Sequence, residues 1–151
     1  MTGAPSLFVY GTLRSEFHNE FACLLRAGSV FMGKARVRGR LYRLGGYPGL
    51  KLSKSGEHWA RGEVYLLRDP EATLRALDAY EGCAPDDPRP HQFERVKTGA
   101  VMEDGSVAEV WVYAYNREVP ESRRIVSGDF LAGVARTPSF GLRNHTRQPR
   151  P

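Results

Sequence analysis

The chain has 151 residues, 41% of them hydrophobic and 26% charged, with a formal net charge of +5. That size suits one domain with a sizeable core, and the composition excludes a disordered chain. No apolar run approaches the roughly 20 residues of a membrane span. The opening MTGAPS lacks a basic, then apolar, secretory pattern, and Cys23 and Cys83 form no C-x-x-C, so a reduced cytoplasmic setting is expected.

Taken in chain order, "SLFVY" reads as a short buried strand. In "SEFHNEFACLLRAGS", Phe17, Phe21, Leu24 and Leu25 fall on one helical face, with Ser15 as N-cap and Gly28 as stop. "ARVRGRLYRL" alternates Ala35, Val37, Gly39 and Leu41 against Arg36, Arg38, Arg40 and Tyr42, a strand with one dry face. "GGYPGLKLSKSG" reads as loop, and "HWARGEVYLL" resumes the β pattern. "DPEATLRALDAYEG" is the clearest helix: Asp69 can cap, Pro70 fits the first turn and Gly82 the end. A proline-broken loop, "CAPDDPRPHQ", precedes "FERVKTGAV" and "VAEVWVYAY", for which Asp104-Gly105 signals a two-residue hairpin turn. Strands dominate, which predicts an α+β domain on a mainly antiparallel, barrel-like sheet.

The positive charge is concentrated at one end. After Asp129 no Asp or Glu remains, whereas Arg136, Arg143, Arg147 and Arg150 follow. Residues 1–135 therefore read as the domain and 136–151 as a basic, flexible tail. The rest is close to neutral, so nucleic acid is not the expected partner. Arg36, Arg38 and Arg40 read as a solvated face, with anion or RNA contact as the alternative. His18, His58, His91 and His145 show no metal-ligand spacing, and no metal or other cofactor is expected. A Cys83–His91 pair can be imagined, but Cys83 reads as a small residue at a loop start.

Two places can carry chemistry. Glu81 lies seven residues beyond Leu74, and at about 100° per residue seven steps return to within roughly 20° of the start. It therefore shares the apolar face of Leu74 and Leu77, whereas Asp78 reads as solvated. Partial burial and the negative end of the helix dipole both favour a protonated Glu81, which suits a proton-transferring group. A last-turn carboxylate reaching solvent or pairing with an arginine is the plainer reading. The other place is "VYGTLR". A glycine between strand and helix is either a simple turn or an exit that aims N–H groups at an anion, with Thr12 adding a hydroxyl and Arg14 a cation. Neither a P-loop nor a G-x-G-x-x-G fingerprint is present.

Read in order, "LFVYGTLR", "YPGL", "GEVYLL", "LDAYEG", "FERV" and "WVYAY" resemble the γ-glutamylcyclotransferase-like (AIG2-like) family, from about Leu7 to about Phe130. The resemblance implies a small mixed β-barrel flanked by helices and a small γ-glutamyl substrate. It also implies a cofactor-free intramolecular aminolysis that releases 5-oxoproline and an amine. Tyr10, Gly11, Thr12 and Leu13 would bind the substrate and Glu81 would be the acid/base; Tyr115 could also reach the pocket. Two departures stand out: Phe93 where relatives usually carry tyrosine before x-Arg, and "SGDF" where many carry Ser-Gly-Asp-Trp. A non-catalytic module binding a small carboxylate on the same barrel is the alternative.

Overall fold

The computed structural model describes residues 5–11, 19–54 and 56–130. Their elements are β1 (Ser6–Val9), α1 (Glu20–Ala27), β2 (Ser29–Arg43), β3 (Pro48–Leu52), β4 (Trp59–Leu67), α2 (Pro70–Glu81), β5 (Phe93–Met102) and β6 (Val107–Tyr115), followed by a 3₁₀ turn at Glu121–Arg123. Five strands, in the order β2-β4-β1-β6-β5, form a ring that closes where β5 returns to β2 through Ala35↔Met102 and Arg36↔Val101. The pairings are antiparallel except between β1 and β6. A closed mixed barrel flanked by two helices is the architecture expected from the sequence, whereas the further strand, β3, is not. No helix among the described residues is long and apolar enough to cross a membrane.

Closure explains why Leu7, Phe8 and Val9 of β1 are all apolar. Phe8 points into the barrel with Val37, Val64, Ala100, Val110 and Val112, while Leu7 and Val9 point outward beneath the helices with Leu25, Leu74, Leu77 and Tyr113. A strand buried on both faces has no polar side. Along β6 the same alternation puts Val110 and Val112 inside, and Trp111, Tyr113 and Tyr115 with the outer layer.

The capping residues of α2 act as their positions predict. Asp69 accepts the Ala72 N–H at 3.3 Å, Pro70 opens the first turn, and Gly82 ends the helix in the left-handed region at φ 80°. Leu77 is fully buried and Leu74 nearly so, each contributing about 2–3 kcal/mol of hydrophobic stabilisation.

Four local expectations need correction. Helix α1 begins at Glu20 and is capped by Asn19, whose side chain accepts the Ala22 N–H at 2.8 Å. Ser15 and Phe17 lie outside the described residues. In this shorter helix Ala22 and Leu25 are buried, and Leu24 is 39% exposed. The stretch expected to be loop contains β3, which among the described residues pairs with β2 alone; an edge position tolerates Pro48 and Gly49. Tyr42 is buried, its hydroxyl donating to Glu121 at 3.0 Å, because the 3₁₀ turn covers that part of β2. The β5–β6 loop is longer than two residues: Met102 donates its N–H to the Ser106 carbonyl at 2.8 Å and Gly105 donates to Met102 at 2.9 Å. The expected 136–151 tail lies outside the described residues.

Candidate active site

At the end of β1 the chain leaves the barrel through Tyr10 and Gly11. Tyr10 is buried; its hydroxyl donates to the Tyr113 carbonyl at 2.5 Å and accepts the Leu50 N–H at 3.3 Å. One phenol thus joins the end of β1 to both β6 and the edge strand β3. Burial, and then the charge of Glu81, raises its pKa well above the usual range, against the opposing pull of the Leu50 N–H. Gly11 is needed for close approach: a Cβ there would lie 2.6 Å from Cγ of Pro48. The start of β3 therefore rests on the backbone where β1 ends. Thr12, Leu13 and Arg14 lie outside the described residues.

Glu81 is the last residue of α2 and is half-buried. Its negative charge is felt at the Tyr10, Tyr113 and Cys83 side chains, raising the pKa of each. The structure thus brings Glu81 and Tyr10 into one neighbourhood, although they are far apart in the chain. Tyr115 borders it at the end of β6. Its ring stacks edge-on against Phe93 at 5.4 Å, with the Lys51 ammonium 5.6 Å from the ring centre. Gly49 passes so close that a Cβ would lie 2.9 Å from Cβ and Cγ of Tyr115.

Asp78 is not solvated. Only 15% of its side chain is exposed. It accepts Arg95 Nε–H at 2.7 Å and Nη2–H at 3.0 Å on separate oxygens, and the Tyr113 hydroxyl at 2.7 Å. Asp78 lies four residues from Leu74, about 40° round the helix. It therefore lies just outside the stripe of Leu74 and Leu77, within which Glu81 falls. A carboxylate within a turn of Glu81 and near the same stripe was the available signal, but its partners come from β5 and β6. Arg95 in turn lies over the Trp111 ring at 4.4 Å, and its pKa is raised chiefly by the hydrogen bond to Asp78.

Two further side chains have structural roles. Phe93 is buried between Tyr47 and Tyr115, with ring centres 6.2 and 5.4 Å away, so apolar contacts occupy its position. Burial and then the charges of Asp78, Glu81 and Glu94 push the Cys83 thiol up to about 12. Its nearest acceptor is Asp78 at 3.9 Å, whereas buried His91 faces Glu94 at 3.2 Å. No Cys–His nucleophile is assembled from these two residues.

The family model described as "Gamma-glutamyl cyclotransferase, AIG2-like" matches residues 7–132. The chain is 36% identical over 116 residues to the γ-L-glutamyl-butirosin B γ-glutamyl cyclotransferase of Niallia circulans, covering 76% of this chain and 69% of that one. It is 31% identical over 126 residues to a putative γ-glutamylcyclotransferase of Methanocaldococcus jannaschii, covering 82% and 93%. Among solved structures, YkqA from Bacillus subtilis superposes with a TM-score of 0.66 at 26% identity, over 89% of this chain and 42% of YkqA. An AIG2-like protein from Mus musculus superposes at 0.61 with 27% identity, over 78% and 80%. The family match runs through the whole barrel and both helices, and the chain belongs to the AIG2-like γ-glutamyl cyclotransferase family.

Proposed function

We propose that the protein is a γ-glutamylcyclotransferase that acts on a γ-glutamyl amine or peptide and releases 5-oxoproline. The observation that carries this reading is that the charge of Glu81, at the end of α2, acts on Tyr10, where β1 leaves the barrel. A simple anion-binding site gains nothing from a half-buried carboxylate nearby; proton transfer requires one.

In the proposed reaction Glu81 removes a proton from the substrate's α-ammonium. The amine then attacks its own γ-carbonyl, forming a C–N bond and a five-membered ring. The resulting oxyanion collapses, the original γ-amide C–N bond breaks, Glu81 returns the proton to the departing amine, and the ring nitrogen gives up its second proton to that amine, leaving a neutral lactam and an ammonium product. Tethering the nucleophile supplies most of the reactivity, so the protein has mainly to hold a folded glutamyl conformation and move protons. Tyr10, Gly11, Thr12 and Leu13 are proposed to hold the glutamyl end, with Arg14 and Tyr115 beside them. The named activity of the Niallia circulans relative directs attention to γ-glutamyl amides of amine-bearing metabolites.

The test is 5-oxoproline release from γ-glutamyl dipeptides, glutathione, γ-glutamyl-ε-lysine and γ-glutamyl amines, run beside Glu81→Gln. Release by the natural protein, lost in a folded Glu81→Gln variant, supports the assignment. Undiminished release by that variant removes Glu81 from the mechanism. Binding of panel members with no release replaces the enzyme by a carboxylate-binding module.

A further inference from the structure

Strand pairing gathers an unusual concentration of arginine away from Glu81. On the outer face of β2–β4, Arg36 stands directly opposite Arg61 and Arg38 opposite Trp59. Like charges placed directly across a ladder destabilise it, so this arrangement is costly unless an anion lies between them. The Arg36 and Arg38 guanidiniums lie over the Trp59 ring at 4.5 and 4.3 Å. Stacking fixes a guanidinium through its face and leaves its in-plane N–H donors free for an oxyanion. Arg38 gives one of these donors to the Gly56 carbonyl at 2.6 Å. Among the described residues, Arg36, Arg40 and Arg61 have no ion-pair partner.

Next to this array lies a cleft of about 200 Å³, whose charged or titratable lining is Arg40, Arg61, Arg124, His58 and Glu57. The segment after the 3₁₀ turn walls it. Ile125 donates its N–H to the Leu41 carbonyl at 2.7 Å, and Gly128 accepts the Arg61 N–H at 2.8 Å. Arg124 is held in place by Glu121 at 3.1 Å and by the His58 ring at 2.6 Å. The wall lies tightly against β4: Gly128, at φ 74°, crosses so close to Trp59 that a Cβ would lie 2.1 Å from the Trp59 carbonyl oxygen. A cleft walled in this way suits the end of a ligand better than a polymer passing through.

We propose that this cleft is an accessory site for the phosphate or diphosphate group of a small soluble ligand, bound by Arg40 and Arg61 with Arg36 and Arg124 beside them. Arginine's planar fork matches phosphate oxygens two at a time. None of these residues belongs to the proposed γ-glutamyl site, so the inference stands apart from the proposed reaction.

The probe is inorganic pyrophosphate, titrated by calorimetry and by thermal melting, with sodium chloride at matched ionic strength as control. Pyrophosphate should bind and raise the melting temperature where chloride does not. Arg40→Ala/Arg61→Ala should weaken binding at least about tenfold, since both charge-assisted forks to the phosphate oxygens are lost. Lysine at both positions should recover part of the loss. Removing Arg61 relieves its opposition to Arg36, so the unliganded double variant should melt no lower than the parent, and circular dichroism should confirm its fold. Glu81→Gln should bind pyrophosphate normally. Equal binding by the double variant, an equal response to chloride, or tight binding of a mixed-sequence RNA that pyrophosphate does not displace would each overturn the proposal.

Discussion

The carboxylate of Asp78 and the guanidinium of Arg95 meet edge to edge, with Nε 2.7 Å from Oδ1 and Nη2 3.0 Å from Oδ2. Two parallel bonds define an orientation as well as a distance. They pin the last turn of α2 to β5, and the Tyr113 hydroxyl pins the same carboxylate to β6. Glu81 follows Asp78 by three residues, so this pair governs where Glu81 sits.

Arg95→Met leaves a largely buried carboxylate without its cation and should cost roughly 2–4 kcal/mol in urea unfolding. If the proposed reaction holds, kcat should fall more than KM rises, because the displaced group is the proton carrier and not the glutamyl cradle. Arg95→Lys keeps the charge but loses the fork and should recover only part of kcat. Lower stability with unchanged kcat would show that the pair is structural alone.

Tyr10→Phe removes a hydroxyl that serves two buried backbone groups, the Tyr113 carbonyl and the Leu50 N–H. The cost should be about 1–3 kcal/mol, measured as a lower unfolding midpoint. The loosened link between β1 and β3 should be visible as faster amide exchange at Leu50. An unshifted midpoint would show that the ring contributes packing only.

The two thiols should differ sharply in reactivity. Cys23 is exposed, whereas the Cys83 thiol is pushed up to about 12 by burial and neighbouring carboxylates. Because the thiolate is the reactive form, iodoacetamide at neutral pH should label Cys23 long before Cys83, as peptide mass spectrometry would resolve. The linkage has a definite sign. The folded thiol holds its proton more tightly than the unfolded one, so its contribution to stability is complete below the unfolded pKa near 9. That contribution is lost as pH rises from there toward about 12. Comparable labelling rates at neutral pH would contradict this environment.

Two glycines with positive φ should respond differently to alanine. At Gly82, φ 80°, an added Cβ meets nothing within 4 Å, so the cost should be the conformational one of about 1–2 kcal/mol. At Gly128, φ 74°, the Cβ would lie 2.1 Å from the Trp59 carbonyl oxygen. The backbone must shift there, and the loss should exceed that at Gly82 by at least about 1 kcal/mol. Equal melting temperatures for the two variants would mean that the 124–128 segment yields freely.

Elements with a local cause are legible in the amino-acid sequence. Helix α2 is delimited by Asp69, Pro70 and Gly82, because capping and the left-handed turn act within four residues. The apolar run of β1 and the alternation in β2 and β6 followed from burial, and the ordered motifs identified the family. Features that depend on partners distant in the chain emerge with the fold. Strand β3 is invisible in a glycine- and proline-rich stretch because its ladder bonds come from β2. Tyr42 is buried because the turn after β6 packs on it. Helical periodicity puts Glu81 on the stripe of Leu74 and Leu77 and Asp78 beside it, which reads as solvated. What buries Asp78 is that Arg95 and Tyr113 reach it, a consequence of barrel closure that no spacing along α2 contains.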